Sequence, residues 1–181
     1  MKIFKTDKRL IDEGYRYKIE GNLTSDGQLD LTDLDKGLYV TGSIEAGESI
    51  EAGGYIKAGG FIKADGSIKA GGSIKAGGFI EAGEYIEAGG YIEVGGSIEV
   101  GESYGISAGL NITAQTTISF GLKIFSGICA WRDIKDNEKT ITCSKLIGGG
   151  VVEYGILNET GEEEQEPEVI ELNGKKYKEI L

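Results

Sequence analysis

The sequence predicts an all-β fold, namely a three-sided parallel β-solenoid that is built from hexapeptide repeats with about 18 residues per coil. Three observations predict it: a six-residue period, an alternation within each repeat, and a longer period of three hexads. Isoleucine carries the short period and recurs ten times, at Ile44, Ile50, Ile56, Ile62, Ile68, Ile74, Ile80, Ile86, Ile92 and Ile98. A period of six fits neither an α-helix nor long hairpin strands, and it is typical of a solenoid.

Each repeat has the pattern of one short strand followed by one corner. An Ala or Val follows each of these isoleucines by two residues, and a Lys or Glu stands between them. Because successive side chains of a strand point to opposite faces, Ile and Ala face a core and the charged residue faces solvent. Glycines follow, and we expect them to turn the corner in the left-handed conformation that glycine adopts easily.

The longer period places three hexads in each coil. Glu replaces the second corner glycine at Glu48, Glu84 and Glu102, which are separated by whole multiples of three hexads, and Phe61 and Phe79 are three hexads apart. Positions with this separation then lie about 4.8 Å from one another in adjacent coils. The outward charges form three predicted ladders, with opposite signs in five of seven neighbouring pairs: Glu45–Lys63–Glu81–Glu99, Glu51–Lys69–Glu87 and Lys57–Lys75–Glu93.

The flanks of the repeat predict further β-structure. Irregular strands in residues 1–37 indicate an N-terminal cap, and residues 38–125 form the solenoid, with a two-residue slip at Ser103–Tyr104. Residues 126–158 contain short apolar runs separated by turns, and they predict a β-meander that caps the other end. The predicted strands of the meander are Ile128–Trp131, Thr140–Cys143 and Val151–Leu157.

The C-terminal residues predict a linker and a hairpin. Residues 159–168 hold six glutamates and the only proline, which is typical of a solvated acidic linker. Residues 169–181 contain two alternating strands joined by Asn173–Gly174, and this dipeptide favours a tight hairpin turn. Because a lone hairpin is only marginally stable in water, we expect it to dock on another element.

Composition excludes several chemistries. The chain has 181 residues, no histidine and two cysteines. No Ser-His-Asp triad, Cys-His pair or histidine-ligated zinc site can form, and two cysteines are too few for a four-cysteine zinc site. We therefore expect no enzyme activity, no catalytic residues, and no bound cofactor or metal.

Charge and hydropathy restrict the partners and the location. Acidic residues outnumber basic ones by 30 to 19, which gives a net charge of −11 and disfavours direct DNA binding. No run reaches roughly 18 apolar residues and the N-terminus lacks a signal-peptide core, so we expect no membrane partner. Two cysteines in a chain without an export signal indicate a cytoplasmic protein.

Residue order and charge bear on two other functions. Hexapeptide acyltransferases share the six-residue period, but they place the small residue before the aliphatic one and typically use a catalytic histidine, whereas here alanine follows isoleucine. Nucleic-acid mimicry is favoured only locally, because residues 79–102 hold six glutamates and no basic residue. A solvated solenoid surface explains the same glutamates.

The candidate partner-binding residues are outward-facing aromatic and acidic side chains, together with one Trp-Arg pair. Aromatic residues that precede an inward isoleucine should lie at corners, where exposed patches mark binding surfaces unless the flanks cover them. The candidates are Tyr55, Phe61, Phe79, Tyr85, Tyr91, Glu81, Glu84, Glu87, Glu93, Glu99, Glu102, Trp131 and Arg132. Trp and Arg are enriched in binding hot spots, although a place in the core of the meander is the favoured explanation for Trp131. Cys129 and Cys143 are explained as buried thiols.

Two parts of the chain resemble known classes of protein. The block Gly42–Gly101 resembles bactofilin-type and other polymer-forming solenoids in architecture. Lys123–Arg132, together with Val152–Leu157, resembles small proteins that are carried by bacteriophages and prophages. Some proteins of that size and origin are anti-CRISPR inhibitors of the type II Cas nuclease. The resemblance implies a stoichiometric inhibitor without catalytic residues, which acts in the cytoplasm of a bacterial host.

The sequence therefore predicts a non-enzymatic protein that binds a macromolecule. We expect a phage-borne inhibitor of a bacterial defence nuclease, such as a CRISPR effector, that acts by stoichiometric binding to this protein partner. The alternative is a structural or oligomerising solenoid, either a polymer-forming protein or a component of a phage particle. End-to-end association of copies would favour the alternative.

Overall fold

A computed structural model confirms the all-β, three-sided parallel solenoid. It describes residues 1–161 and two strands further on, at 169–172 and 175–178. Three parallel sheets stack into about eight turns with about 18 residues per coil. A single short 3-10 turn, Asp136–Glu138, is the only helical element among the described residues.

The three sheets form the three sides of the solenoid, and each coil contributes one strand to each sheet. Sheet A consists of β4 (Leu29–Leu31), β7 (Ile50–Ala52), β10 (Ile68–Ala70), β13 (Ile86–Ala88), β16 (Ile106–Ala108), β19 (Lys123–Ser126) and β22 (Val151–Tyr154). Sheet B consists of β1 (Ile11–Asp12), β2 (Arg16–Ile19), β5 (Gly37–Val40), β8 (Ile56–Ala58), β11 (Ile74–Ala76), β14 (Ile92–Val94), β17 (Ile112–Ala114), β20 (Thr140–Cys143) and β23 (Ile156–Glu159). Sheet C consists of β3 (Leu23–Ser25), β6 (Ile44–Ala46), β9 (Ile62–Ala64), β12 (Ile80–Ala82), β15 (Ile98–Val100), β18 (Thr117–Ser119) and β21 (Lys145–Ile147).

The register stacks each isoleucine on the equivalent isoleucine of the next coil, three hexads further along the chain. In sheet A, for example, Ile68 pairs with Ile50 on one side and Ile86 on the other. The isoleucines of the repeat are fully or almost fully buried, and the alanines two residues later are buried beside them. Burial of one such side chain stabilises the fold by about 1.5–3 kcal/mol, so the stacked isoleucines are the main source of stability. The predicted slip is confirmed, because Ile86 pairs with Ile106 across a coil that is two residues longer.

The corner glycines correct one expectation about the backbone. No glycine of the regular block is in the left-handed region; the positive φ angles belong to Gly14, Gly21, Gly127, Gly148 and Gly155. The first glycine after each strand is instead needed for the close stacking of coils. A Cβ atom at eight of these positions would lie 2.0–2.3 Å from a backbone oxygen of the preceding coil: Gly47, Gly59, Gly71, Gly77, Gly83, Gly89, Gly95 and Gly101.

The N-terminal flank covers the first coil. The backbone N–H of Ile3 donates a hydrogen bond to the oxygen of Asp30 at 2.9 Å, and Ile3 is completely buried. Residues 1–3 therefore cover the N-terminal edge of sheet A, and Ile11–Asp12 pairs antiparallel with Arg16–Ile19 at the edge of sheet B. The first coil of the solenoid already begins at Arg16, within the segment for which the sequence predicts a cap.

The C-terminal flank corrects the prediction of a meander. The strands of residues 140–159 do not form the antiparallel neighbour-to-neighbour pairs of a meander; each pairs in parallel with the strand one coil earlier, as Leu157 does with Ile141. This flank is a further coil, interrupted by a loop at 127–139. Ile128–Trp131 lies in that loop rather than in a strand, and Gly155 divides Val151–Leu157 into two strands.

The terminal hairpin is confirmed as a pairing of two strands. β24 (Val169–Leu172) and β25 (Lys175–Lys178) are antiparallel, with Val169 opposite Lys178. The turn predicted at Asn173–Gly174 and most of the acidic linker, residues 162–168, lie outside the described residues.

The two glycines of one corner provide a matched test of coil stacking. A Cβ on Gly77 would lie 2.2 Å from the backbone oxygen of Gly59, whereas a Cβ on Gly78 would meet no atom closer than 3.4 Å. We expect Gly77→Ala to lower the free energy of unfolding by about 1–2 kcal/mol, because the corner must shift to relieve the clash of the new Cβ with the Gly59 oxygen. Gly78→Ala should be neutral or slightly stabilising. Urea unfolding measures the stability of both variants. Equal stabilities would contradict the conclusion that the first corner glycine, and not the second, is needed for close stacking of the coils.

Candidate partner-binding surfaces

The predicted aromatic residues lie at the corners of the solenoid, as expected. Phe61 and Phe79 precede strands of sheet C and stack with ring centroids 4.8 Å apart and planes at 4°. Both rings are half-buried, so only part of each ring is accessible to a partner. Stacked aromatic pairs contribute about 0.5–1.5 kcal/mol beyond their burial, so the pair also fixes the register of its two coils.

The other aromatic candidates occupy different corners. Tyr55 and Tyr91 precede strands of sheet B and are half-buried, whereas Tyr85 precedes a strand of sheet A and is exposed. Positions one hexad apart lie on different sides of a three-sided coil, and only positions three hexads apart share a side. The structure therefore divides the aromatic candidates among three separate surfaces.

The predicted charge ladders are confirmed in register and carry ion pairs. Lys63 Nζ lies 2.8 Å from Glu81 Oε1, and Lys69 Nζ lies 3.6 Å from Glu87 Oε1. Lys75 pairs with Glu93 in the same way on sheet B. The hydrogen bonds raise the pKa of Lys63 and of Lys75 above the usual lysine value, since the carboxylates favour the charged ammonium group.

The remaining acidic candidates behave differently from one another. Glu84 Oε2 accepts a hydrogen bond from the buried Ser67 hydroxyl at 2.6 Å, so this side chain is engaged with its own solenoid. Glu99 lies above Glu81 in the ladder of sheet C, and Glu102 is exposed after the last regular corner. Among the described residues, Glu99 and Glu102 make no ion pair, whereas Glu81, Glu87 and Glu93 are each paired with a lysine. The acidic candidates therefore do not form the continuous unpaired anionic face that mimicry of nucleic acid needs.

Trp131 and Arg132 lie in the loop that interrupts the last coil. Trp131 is 65% exposed, which rules out the alternative that it is a core residue, and its ring lies against Gly109. Arg132 donates two hydrogen bonds to Glu138, at 3.0 and 2.6 Å. The Arg132 guanidinium and the N–H of Lys135 hold the pKa of Glu138 at about 2. Arg132 therefore braces the loop that presents Trp131.

The C-terminal end of the solenoid exposes apolar side chains that the sequence analysis did not select. Leu157 is the inward-facing residue of the last strand of sheet B, yet it is 41% exposed, because no further strand pairs with β23 within the described residues. Val151, on the edge strand of sheet A, is 58% exposed. Eight large hydrophobic side chains of residues 122–157 are exposed: Leu122, Ile128, Trp131, Ile147, Val151, Tyr154, Ile156 and Leu157. We call this group the apolar end.

The apolar end also has unpaired backbone. Strands β21, β22 and β23 are the last strands of their sheets, and each is paired on one side only within the described residues. An open sheet edge offers N–H and carbonyl groups to a further strand. The missed signal was the lack of any hexad after residue 157 that could cover these strands.

Beside the apolar end is a largely apolar cavity of about 550 Å³. It is lined by Phe125, Ile128, Cys129 and Tyr154, among others. Cys129 is half-buried there, while Cys143 is fully buried in β20. The expectation of two buried thiols is therefore right for Cys143 only.

Comparisons with known proteins give no identity for this chain. It matches no protein-family model, and neither the curated proteins nor the solved structures searched contain a match. Within residues 1–161 and the two later strands, no group of three or more His, Cys, Asp or Glu is arranged to hold a metal ion. No helix in the described part of the chain is long and apolar enough to cross a membrane.

The two cysteines should differ in reactivity. Burial raises the pKa of the Cys143 thiol to about 11 and also shields it from solvent, so we expect no thiolate attack from this residue near pH 8. A thiol reagent such as dithionitrobenzoate should modify one thiol per folded chain quickly, and two after denaturation. Cys129→Ser should abolish the fast reaction and Cys143→Ser should leave it. Fast modification of both thiols in the folded protein would contradict the burial of Cys143.

Proposed function

We propose that this chain is a non-enzymatic protein that binds a protein partner stoichiometrically, and that the partner is a nucleic-acid-guided nuclease of a bacterial defence system. In this proposal the chain is phage-borne and acts in the cytoplasm of the bacterial host. The observation that carries the binding role is the apolar end, which includes the exposed Trp131 on the loop that Arg132 braces.

The composition of the apolar end supports a binding role. Interface cores are enriched in aromatic residues, and an exposed apolar group of this size is uncommon on the surface of a protein without a partner. Trp131 has the properties of a hot-spot residue, because it is a large aromatic side chain held on a loop that the Arg132–Glu138 pair stiffens. Other members of the apolar end would exclude water around it.

Charge supports a nuclease as the partner. Nucleases that hold guide and target strands have basic channels, and an acidic protein of net charge −11 is attracted to such a surface. Glu99 and Glu102, which make no ion pair within the described residues, lie toward the C-terminal half of the solenoid. The resemblance of Lys123–Arg132 to phage proteins favours the same class of partner.

A cleavage assay tests the proposal. Purified chain is added at increasing molar ratio to a guide-loaded type II Cas nuclease, and cleavage of a target DNA is followed. We expect inhibition to be complete near one chain per nuclease. Trp131→Ala should weaken inhibition by about tenfold or more. Tyr15→Ala is the matched control, since Tyr15 is 68% exposed but lies at the other end of the chain.

Two results would contradict this proposal. If a large excess of chain leaves cleavage unchanged, the nuclease is not the partner. If Trp131→Ala inhibits as well as the unsubstituted chain, the apolar end is not the contact. Binding can be followed directly, because the chain contains one tryptophan and its emission should shift to shorter wavelength when the partner covers it.

A second function, self-association, is favoured by the same end of the molecule. The unpaired edges of β21, β22 and β23 can pair with the equivalent edges of another copy, which would bury Leu157 and Val151. The N-terminal flank covers the first edge of sheet A, whereas the last edges of all three sheets are unpaired within the described residues, so the first product would be a dimer joined at the C-terminal ends.

Light scattering after size-exclusion chromatography tests self-association. If this function is right, the mass should rise from one chain to two with concentration, and Val151→Lys should restore a single chain by placing charges in the interface. Ile11→Lys is the control, because Ile11 is 45% exposed on the outermost strand at the opposite end. One concentration-independent mass of a single chain would exclude self-association.

A further inference from the structure

One corner of the solenoid has a gap in a column of aromatic rings. At the corner before sheet B, successive coils present Tyr55, Ser73 and Tyr91, so a serine stands between two tyrosines. At the corner before sheet C, Phe61 and Phe79 occupy successive coils and stack at 4.8 Å. Two coils separate Tyr55 from Tyr91, which is about 9.6 Å at the spacing of paired strands. At the level of Ser73, between the two tyrosine positions, the column has no aromatic ring of the chain itself.

The gap is an open groove of about 470 Å³. It is lined by Tyr55, Gly72, Ser73 and Tyr91, with two lysines at one side. The Tyr55 ring leans away from the gap: a Cβ on Gly37, in the preceding coil, would lie 2.1 Å from Tyr55 Cδ1. Because Gly37 has no side chain, the ring occupies that space and the level of Ser73 stays empty. Ser73 Oγ accepts a hydrogen bond from the N–H of Tyr91 at 3.2 Å, and its side chain forms the floor of the groove.

The two lysines beside the groove carry an unusual charge arrangement. Lys57 pairs in register with Lys75, and this is the only place in residues 43–102 where a lysine stacks on a lysine. Like charges directly opposite one another are unfavourable. The two side chains accordingly diverge: Lys57 Nζ lies 4.9 Å from the Tyr39 ring, and Lys75 turns to Glu93. Among the described residues Lys57 has no carboxylate partner, so its ammonium group is available to an anion.

We propose that this groove binds a planar aromatic molecule that carries an anionic group. The aromatic ring lies between the Tyr55 and Tyr91 positions above Ser73, and the anion lies beside Lys57. Mononucleotides and aromatic carboxylic acids share this chemistry. The site is independent of the proposed partner, because its residues lie in the middle of the solenoid and none of them belongs to the apolar end.

The surroundings of the groove select against other ligands. A cationic ligand would be repelled by Lys57. A nucleic-acid strand would need a series of stacking positions along the backbone, whereas this column has a single gap and the chain as a whole is strongly acidic. An aliphatic ligand would leave the two tyrosine faces without a stacking partner.

Titration followed by amide chemical shifts tests the site in the full-length chain. The probes are adenosine monophosphate and indole-3-acetate, with adenosine and indole as their neutral counterparts. We expect saturable shifts at the amides of Ser73 and Tyr91, and each anionic probe should bind at least about fivefold more tightly than its neutral counterpart. Binding of the nucleotide alone or of the indole acid alone identifies the source of the ligand. Binding of neither anionic probe overturns the proposal.

Three variants locate the site. Ser73→Phe fills the gap with a ring of the chain itself and should abolish binding, while its spectrum should stay folded because Phe61 and Phe79 already stack in this way. Ser97→Phe is the matched control, since it extends the stack above Phe79 and leaves the groove open; it should bind normally. Tyr91→Leu removes one wall and should weaken binding about tenfold. Unchanged affinity in Ser73→Phe or in Tyr91→Leu would overturn the proposal.

Discussion

The return of the chain to the same point after every three hexads is the constraint on which the rest of the structure depends. It places each backbone group opposite its equivalent in the next coil, so that Gly77, for example, donates its N–H to the oxygen of Ala58 at 3.1 Å while Gly78 donates to Gly60. This stacking requires small residues at the corners, where the backbones of adjacent coils come close. It also requires inward side chains of the same shape in successive coils. Isoleucine on isoleucine and glycine near glycine satisfy both demands, and the low complexity of the sequence follows from them.

The same constraint explains why the fold of the central block could be predicted and the flanks could not. Within the repeat, the alternation along each strand and the period of three hexads together fix which residues pair, and the charge ladders confirm that register. After Ser126 the chain leaves the coil for a loop and resumes at Thr140, and no periodicity crosses the loop to show that the later strands return to the old sheets. Parallel return strands and a meander have the same local sequence signals, since both are short apolar runs between turns. The corner backbone was also beyond prediction, because glycine occurs both where φ is positive and where two backbones come close.

The candidate surface illustrates a different limit. Alternation showed correctly that the aromatic residues lie at corners, but a six-residue period distributes them over three sides of the molecule. Trp131 lies outside the repeat, so the sequence left its exposure open, and only the ion pair between Arg132 and Glu138 shows how the loop is held. The gap between Tyr55 and Tyr91 became visible only when the corners were arranged in columns, since along the chain Ser73 is one of several serines at equivalent positions.

The asymmetry between the closed N-terminal flank and the open C-terminal end also gives the molecule a direction of assembly. The N-terminal edge of sheet A is complete once Ile3 has formed its hydrogen bond to Asp30. Each later coil can then pair with a coil that has already formed. A ribosome that adds about 5–20 residues per second would deliver one coil in about one to four seconds, which is long compared with the formation of a short strand. The solenoid can therefore be built one coil at a time as it is synthesised, and the edge formed by β21, β22 and β23 is the last one to be made.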